Sequence, residues 1–438
     1  FDRERYLKLF DRLWETLYEQ KLVTKTLTEI RNSDLFKYSP YKSLNADQEM
    51  AAVEILNAIR HDKDMPIIVK GMPGSGKTIV AIYMMKRLRD NPHLKDKKIA
   101  LVIPQASLRR TLQRLFKQIY NLRAADVIGP SGVVKVDGMY DIVFVDEAHR
   151  LKQPKNIVNW NSHYGNNEKL GLGRTEGTEL DWILKKVKCP VFLYDANQVI
   201  GPSGTNYQLF KEKVEEALKD RGGNLFVEPV KEIELKTQMR SAGGKRYIDY
   251  IEDILFEKNP PVINFNKHVG DAGYEFKIIE DFKTFRNLMY EKEKAYGLSR
   301  MMAGYAWKWI SKKDKDLYDI EIDGIYIRWN VVANDWVNSE GAIDQMGSIH
   351  TLQGYDLNYG FVVLGPDIRY DKEQEKIVVN RKSYFDINGR KGVETDEELL
   401  KYVKNIYYVL MSRGIRGTYL YICDDALREY FKQYVEVM

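Results

Sequence analysis

The residues best equipped for chemistry lie in two short segments, GMPGSGKT at 71–78 and DIVFVDEAHR at 141–150. The first has the make-up of a phosphate cradle. Gly71, Pro73, Gly74, Ser75 and Gly76 form a loop whose glycines let backbone N–H groups turn inward. Lys77 is a point charge for the β and γ phosphates, and the Thr78 hydroxyl is a ligand for Mg²⁺. The loop follows the strand-like PIIVK and opens a stretch with helical spacing at Ile79, Val80, Ile82, Tyr83 and Met84, so a helix N-terminus faces the anion. The competing reading is a structural Gly-rich turn. In the second segment Asp146 and Glu147 end a buried hydrophobic strand, where two carboxylates without a partner are costly. A cation resolves that cost. Asp146 then holds Mg²⁺, through water or directly, and Glu147 orients and deprotonates an attacking water. Taken alone, the acidic pair reads equally as a helix cap or a surface turn, and His149 reads as structural. ATP and Mg²⁺ are the expected cofactors.

These groups need rigid elements behind them. From Leu44 to about Leu235 strand-like runs alternate with helical ones: IIVK, the helix after Gly76, IALVIP, a helix from Ser107, IVFVDE and VFLYD. That order implies an α/β fold with a parallel sheet covered on both faces. The alternation resumes after Arg240 with helix 244–256, YEFKII, helix 282–296, IYIRW, FVVLG and TYLYI. The expected organisation is a helical arm and linker over 1–43, one α/β domain over 44–235 and a second over 236–438. A length of 438 residues suits two cores. In the arm, Tyr6, Leu7, Phe10, Leu13, Trp14 and Leu17 take the helical period and are expected to pack across the body. Residues 151–177, rich in Asn, Gly and Lys, read as a long loop.

Composition narrows the class. With 44% hydrophobic and 30% charged residues the chain is not of disordered type, and no apolar run is long enough to span a bilayer, so no membrane is expected. Cys189 and Cys423 stand apart without a nearby His or Cys for zinc, and a reducing cytoplasm fits best. The net charge of +5 permits phosphate contacts without demanding them. The chain begins FDRERYLKLF, without an initiator Met or a secretory pattern, which fits a trimmed chain or the ordered part of something longer.

The ordered series of segments resembles the superfamily 1 helicases of the UvrD and Rep type, in the compact form of Schlafen-type helicase domains and related bacterial proteins. It runs from about Leu44 to Ile422. LNADQ at 44–48 resembles the adenine-reading segment, which implies that Gln48 bonds the base edge. VIPQASLRR at 102–110 stands at the strand-contacting motif, LYDANQ at 193–198 at the element whose Gln198 senses the γ phosphate, and KTQMRS at 236–241 at the segment supplying Arg240. SIHTLQGYD at 348–356 and YVLMSRGIRG at 408–417 complete the series. The resemblance implies two tandem RecA-like P-loop domains. Lys77, Glu147, Gln198, Arg240 and Arg413 then carry catalysis, and Gly354 and Asp356 join the nucleotide site. Arg240 and Arg413 lie outside the first domain and are expected to reach ATP only when the second closes on it. Arg413 also reads as a favourable cation at a helix C-terminus, and Asp356 as a ribose acceptor or a turn residue.

Arg109 and Arg110, with Arg114 and Lys117 beside them, and His350 and Thr351 from the other domain, would build the two lips of a groove for single-stranded DNA or RNA. Two departures matter. Met239 stands where many members place an adenine-stacking aromatic, so strict ATP preference is not implied. About forty residues separate the strand-contacting motif from DEAH, and about one hundred separate Arg240 from Ser348. That leaves no room for the inserted subdomains of longer relatives, so translocation is better supported than unwinding. Relatives of this compact type often accompany a nuclease or other effector, some in antiviral systems, which implies an N-terminal partner. The competing classes are a nucleotide-controlled switch without translocation and a P-loop phosphotransferase.

Overall fold

The computed structural model describes residues 3–60, 64–94, 96–155, 157, 159–222, 230–265, 273–332, 335–352 and 354–438. The side chain of Leu7, and Gln353 of the TLQG segment, fall outside them. The first sheet holds β1 (Ile67–Gly71), β2 (Ile99–Val102), β3 (Val127–Ile128), β4 (Tyr140–Val145), β5 (Val187–Tyr194) and β6 (Lys231–Leu235). Their order is β3-β2-β4-β5-β1-β6 and every pair is parallel. Successive side chains leave opposite faces, which is why these strands are apolar without alternation. Ile67 and Val69 enter one core with helices Ala46–Arg60, Lys77–Asp90 and Ala106–Phe116, whereas Ile68 enters another with helices Glu179–Lys186 and Tyr207–Gly222. Each fully buried Val or Ile contributes about 1.5–3 kcal/mol. Because β5 lies between β1 and β4, its end stands between the P-loop and the acidic pair.

The second sheet begins with β7 (Glu275–Ile278), β8 (Ser299–Ala303), β9 (Ile320–Ile322), β10 (Ile325–Trp329), β11 (Gln345–Ser348) and β12 (Leu357–Leu364). A separate antiparallel pair follows, β13 (Ile368–Asp371) and β14 (Lys376–Val379), before β15 (Gly414–Ile422) and β16 (Glu436–Val437). The sheet order is β16-β7-β15-β12-β8-β11-β10-β9, parallel except for the β9–β10 hairpin. The fold is α/β with two largely parallel sheets, RecA-like as the sequence implies.

Behind β12 the helix Asp396–Met411 brings Tyr407 to Asp367, a wholly buried carboxyl whose Oδ1 accepts from the Tyr407 hydroxyl at 2.6 Å while Oδ2 has no hydrogen-bond partner. Burial pushes this carboxyl up to about 7, against the lowering effect of the Tyr407 hydroxyl. Since the folded value lies above the unfolded one, the stability it contributes is present below about pH 4 and lost as pH rises towards 7. Asp367→Asn is therefore expected to leave thermal stability unchanged near pH 4 and raise it at pH 8, by about 4 kcal/mol. Melting curves of both proteins at the two pH values check this, and equal curves at pH 8 would contradict it.

Two expectations need correction. Residues 151–177 contain a helix, Trp160–Lys169, capped by Asn159. Its inward face is polar, so it has no apolar period to read. Asn167 donates to the carbonyls of Gly173, Arg174 and Gly177 and accepts from Trp182 Nε1 at 2.6 Å, while His163 donates to Gly177 O at 2.7 Å. The arm helix Arg3–Glu19 does not pack across the body: Tyr6 and Leu13 are 56% and 57% exposed. It is tied to its own continuation, through Trp14 Nε1 to Lys25 O and the Arg31–Asp11 pair. The residues that do cross the body come next, in the capped helices Leu27–Asn32 and Asp34–Lys37 and at Tyr38.

Candidate nucleotide and strand site

The P-loop leaves β1 at Gly71. Gly74 and Gly76 both take φ near 83°, a left-handed conformation that a side chain strains. Both are also crowded: a Cβ on Gly76 would meet Gln48 Nε2 at 2.1 Å, and one on Gly74 would meet Gln238 Oε1 at 2.4 Å. The loop is braced from outside. Gln48 Nε2 donates to Ser75 O at 3.0 Å and Gln238 Nε2 to Pro73 O at 2.7 Å. Gln48 is buried, its Oε1 accepts from Asn45 N, and it does not line the cleft. The expectation that it reads the base edge is therefore corrected: its amide faces the loop's back and positions the P-loop.

Lys77 Nζ, almost fully buried, donates to Gly71 O at 2.6 Å and Met72 O at 3.1 Å and pairs with Asp195 Oδ2 at 3.1 Å. Gln198 Nε2 donates to the same carboxylate oxygen at 2.6 Å. Across the loop, Thr78 Oγ1 donates to Asp146 Oδ2 at 2.7 Å. Burial and the neighbouring Glu147 charge push the Asp146 carboxyl well above the usual carboxylate range. Among the described residues no group of three or more His, Cys, Asp or Glu side chains could hold a metal. Thr78 and Asp146 supply hard oxygens only, a donor set that suits Mg²⁺ when phosphates and water complete it.

Glu147 takes φ 51° and ψ 43° as β4 ends, which turns its side chain towards the cleft. Its Oε2 lies 3.2 Å from His149 Nε2 and 3.9 Å from Arg150 Nε, with no completed hydrogen bond. Burial raises this carboxyl, but the His149 ring and the Arg150 charge outweigh it and hold Glu147 well below the usual carboxylate range. His149 is buried and packs edge-on to Tyr194.

The two arginines arrive differently. β6 pairs in register with β1, so the chain leaving it emerges beside the P-loop. Met239 N donates to Gly74 O at 2.9 Å, and Gln238 Oε1 accepts from Arg240 N at 2.5 Å. Arg240 is thus fastened to the P-loop, and the expectation that it arrives only on closure is corrected. Its Nε pairs with Asp356 Oδ1 at 2.5 Å. Arg413 comes from the turn before β15; it is 1% exposed, and its Nε donates to Val409 O at 3.0 Å in the last turn of helix Asp396–Met411. Nε satisfies the helix end, while Nη2 has no hydrogen-bond partner beside the cleft. Burial, with Arg240 nearby, lowers its guanidinium to about 10.

These groups line one cleft of about 540 Å³ that also includes Gly74, Gly76, Gly354 and Asp356. Glu147 Oε2, Gln198 Oε1, Arg240 Nη1 and Arg413 Nη2 are all buried there without a hydrogen bond. Such orphans are rare in folded proteins, and their convergence marks a ligand site.

On the strand-facing side the structure divides the four named residues. Arg110 is exposed. Arg109 Nη1 instead donates to Ile103 O at 2.7 Å and to Pro104 O, so its fork holds the end of β2. Thr351 is buried and donates to Ser348 O at 2.8 Å, which makes it a turn residue. The expectation of direct strand contact is corrected for these two. His350 is half-exposed, 3.3 Å from Asp386 Oδ2, and its carbonyl accepts from Gln105 Nε2 at 3.1 Å. Arg150 Nη1 in turn donates to Gln105 Oε1 at 3.0 Å, giving a run of polar contacts from the acidic pair to the His350 turn.

Residues 65–424 match the Schlafen group 3 DNA/RNA helicase domain. The chain belongs to this family. Over 424 residues it is 25% identical to an uncharacterized protein of Saccharomyces cerevisiae, YPL245W, covering 88% of this chain and 90% of that one. Among solved structures it is similar to the Pif1 helicase of Candida albicans, at 13% identity over 90% of this chain and 99% of that one, TM-score 0.34. It is also similar to the arterivirus nonstructural protein 10 helicase, at 13% identity over 85% of this chain and 63% of that one, TM-score 0.35.

This Schlafen-type helicase domain holds several site residues that motif reading missed. Asp195 stands within LYDANQ and binds Lys77; its placement at the end of the β5 run was the available signal. Gln105 and Gln238 lie within VIPQASLRR and KTQMRS, but their partners there, His350 O and Pro73 O, are distant in sequence, and Tyr38 and Lys37 had no signal, because each donates to main chain of the other sheet's segment. No helix among the described residues is long and apolar enough to cross a membrane.

Proposed function

We propose that this Schlafen-type helicase domain is a Mg²⁺-dependent ATP-hydrolysing motor acting on single-stranded nucleic acid, with α/β domains over 44–235 and 236–438 behind the linker 1–43. The observation that carries the reading is the convergence of P-loop, acidic pair and two arginines, with four orphaned polar atoms, on one cleft. Lys77 exchanges its carbonyl partners for the β and γ phosphates. Thr78 and Asp146 would hold Mg²⁺, which when bound draws charge from those phosphates. Glu147 accepts a proton from water as the water oxygen bonds to the γ phosphorus and the β–γ bridge breaks, leaving ADP and phosphate. Gln198, held by Asp195, senses the γ phosphate beside Lys77. Arg240 and Arg413 face the charge that develops on the transferred group. A strand lying over Arg110 and His350 favours the arrangement that brings Arg413 onto ATP. A cytoplasmic role beside an N-terminal nuclease or other effector, in antiviral defence, fits this family, and the alternative is a nucleotide-controlled switch that moves no strand.

Strand binding separates the two. Fluorescence anisotropy of a labelled single strand is expected to show binding at low salt that weakens steeply as salt rises. Arg110→Ala should lower the affinity about three- to tenfold and reduce the salt slope by about one. No binding at low salt would remove the motor reading and leave the switch.

A further inference from the structure

The cleft has a wall that phosphate chemistry does not use. It comes from the segment after the arm helix, through Asn32, Phe36, Lys37, Tyr38 and Lys42. This segment is fastened to the far side of the cleft: Tyr38 OH donates to Gly354 O at 2.6 Å, Lys37 Nζ to Asp356 O at 3.1 Å, and Asn358 Nδ2 to Asn32 Oδ1 at 2.9 Å. The Tyr38 ring packs on the core of the first sheet, so the segment is held from both sides. Between these anchors stands Phe36, lining the cleft yet 45% exposed. Lys42 Nζ lies 4.7 Å from its ring centroid and covers part of the ring. Met239 also lines the cleft and is 49% exposed. Two large apolar side chains left in water beside a phosphate cradle are what a flat ligand would cover.

Several polar groups near the cleft are engaged elsewhere. Gln48 braces Ser75, Asn358 also donates to the carbonyls of Tyr296 and Gly297, and Arg31 pairs with Asp11. Arg416 lies over the Tyr296 ring at 4.8 Å.

We propose that Phe36, delivered by the N-terminal segment, is the base-stacking residue of the nucleotide cleft, and that the base is held by its face rather than read along its edge. Met239 supplies the apolar packing that shares this part of the cleft, and ATP and GTP bind about equally. The inference rests on the reading of the cleft as a nucleoside triphosphate site.

The test measures binding of ADP, GDP and inorganic tripolyphosphate, each with Mg²⁺, to the full chain by calorimetry, using wild type, Phe36→Ala, Phe36→Trp and Lys77→Ala. Phe36→Ala should weaken ADP and GDP by at least about tenfold, Phe36→Trp should retain them, and tripolyphosphate, which has no base, should bind wild type and Phe36→Ala alike. Equal ADP affinity in wild type and Phe36→Ala would overturn the proposal. So would a parallel loss of tripolyphosphate, which would make the ring structural, or a preference for ADP over GDP above about tenfold, which would mean edge reading. The site reading fails separately, and the proposal with it, if wild type binds neither ADP nor tripolyphosphate, or if Lys77→Ala binds both as well as wild type.

Discussion

Glu147→Gln protein is expected to bind ATP with wild-type affinity and to turn it over about 10²- to 10⁴-fold more slowly, the range that a positioned general base contributes. The exchange preserves shape and removes the only change that matters, the ability to take a proton. Glu147 is suited to the task by three features of its place. β4 ends in a left-handed residue, a conformation that costs a non-glycine about 1–3 kcal/mol, and the chain tolerates it at the residue that faces the cleft. His149 and Arg150 hold the carboxylate ionised despite its burial. Its Oε2, against His149 but without a completed hydrogen bond, can still accept one from water. Quenched-flow release of phosphate, beside equilibrium binding of ATP, reads both halves of the expectation. Ordinary turnover by the Gln variant would contradict the role.

Arg413→Ala is expected to lower kcat by about 10²-fold or more while nucleotide affinity changes little, because a cation aimed at the transferred phosphoryl group acts on the transition state. The surroundings of Arg413 suit that role. Arg413 is fully buried close to a second cation, Arg240, and both conditions disfavour its charge, yet lowered only to about 10 it stays ionised at neutral pH. Asp356 pairs with Arg240 and Glu147 is near, so the two guanidinium groups are partly compensated without a ligand; a polyphosphate completes the balance. The helix-end role of Nε predicts something else, a loss of stability of about 0.3–1 kcal/mol with turnover intact. Measuring kcat, KM and melting temperature on one preparation tells the two apart, and an unchanged kcat would leave only the helix end.

What was legible in the sequence was what local pattern encodes. IIVK, IALVIP and IVFVDE read as buried strands because a parallel sheet covered on both faces needs apolar side chains at every position. GMPGSGKT was legible because only glycine suits the turned backbone at Gly74 and Gly76. The rest was hidden for physical reasons. The helix Trp160–Lys169 buries amides instead of hydrocarbons, so the 3.6-residue period is missing. Gln48 lies against the back of the P-loop, its direction depends on Ser75 O and Asn45 N, and one bond decides whether an amide faces a base or a loop. Arg240 was assigned to a moving part because the sequence does not say that β6 pairs with β1 and carries the arginine to Gly74. Arg109 reads as a strand contact because VIPQASLRR stands at the strand-contacting motif of the series, whereas its guanidinium folds back on Ile103 O. Tyr38 and Lys37 bond main chain more than three hundred residues away, a relation with no local signal.

On the proposed function, ATP hydrolysis in this cleft is coupled to a strand outside it. The most direct measurement is the steady-state rate of phosphate release from Mg-ATP by the full chain, with no nucleic acid, with single-stranded DNA, with single-stranded RNA and with blunt duplex. At least one single strand, at saturation, is expected to accelerate release several-fold, and blunt duplex much less. A rate that is the same in all four conditions would contradict the account and leave the protein a nucleotide switch.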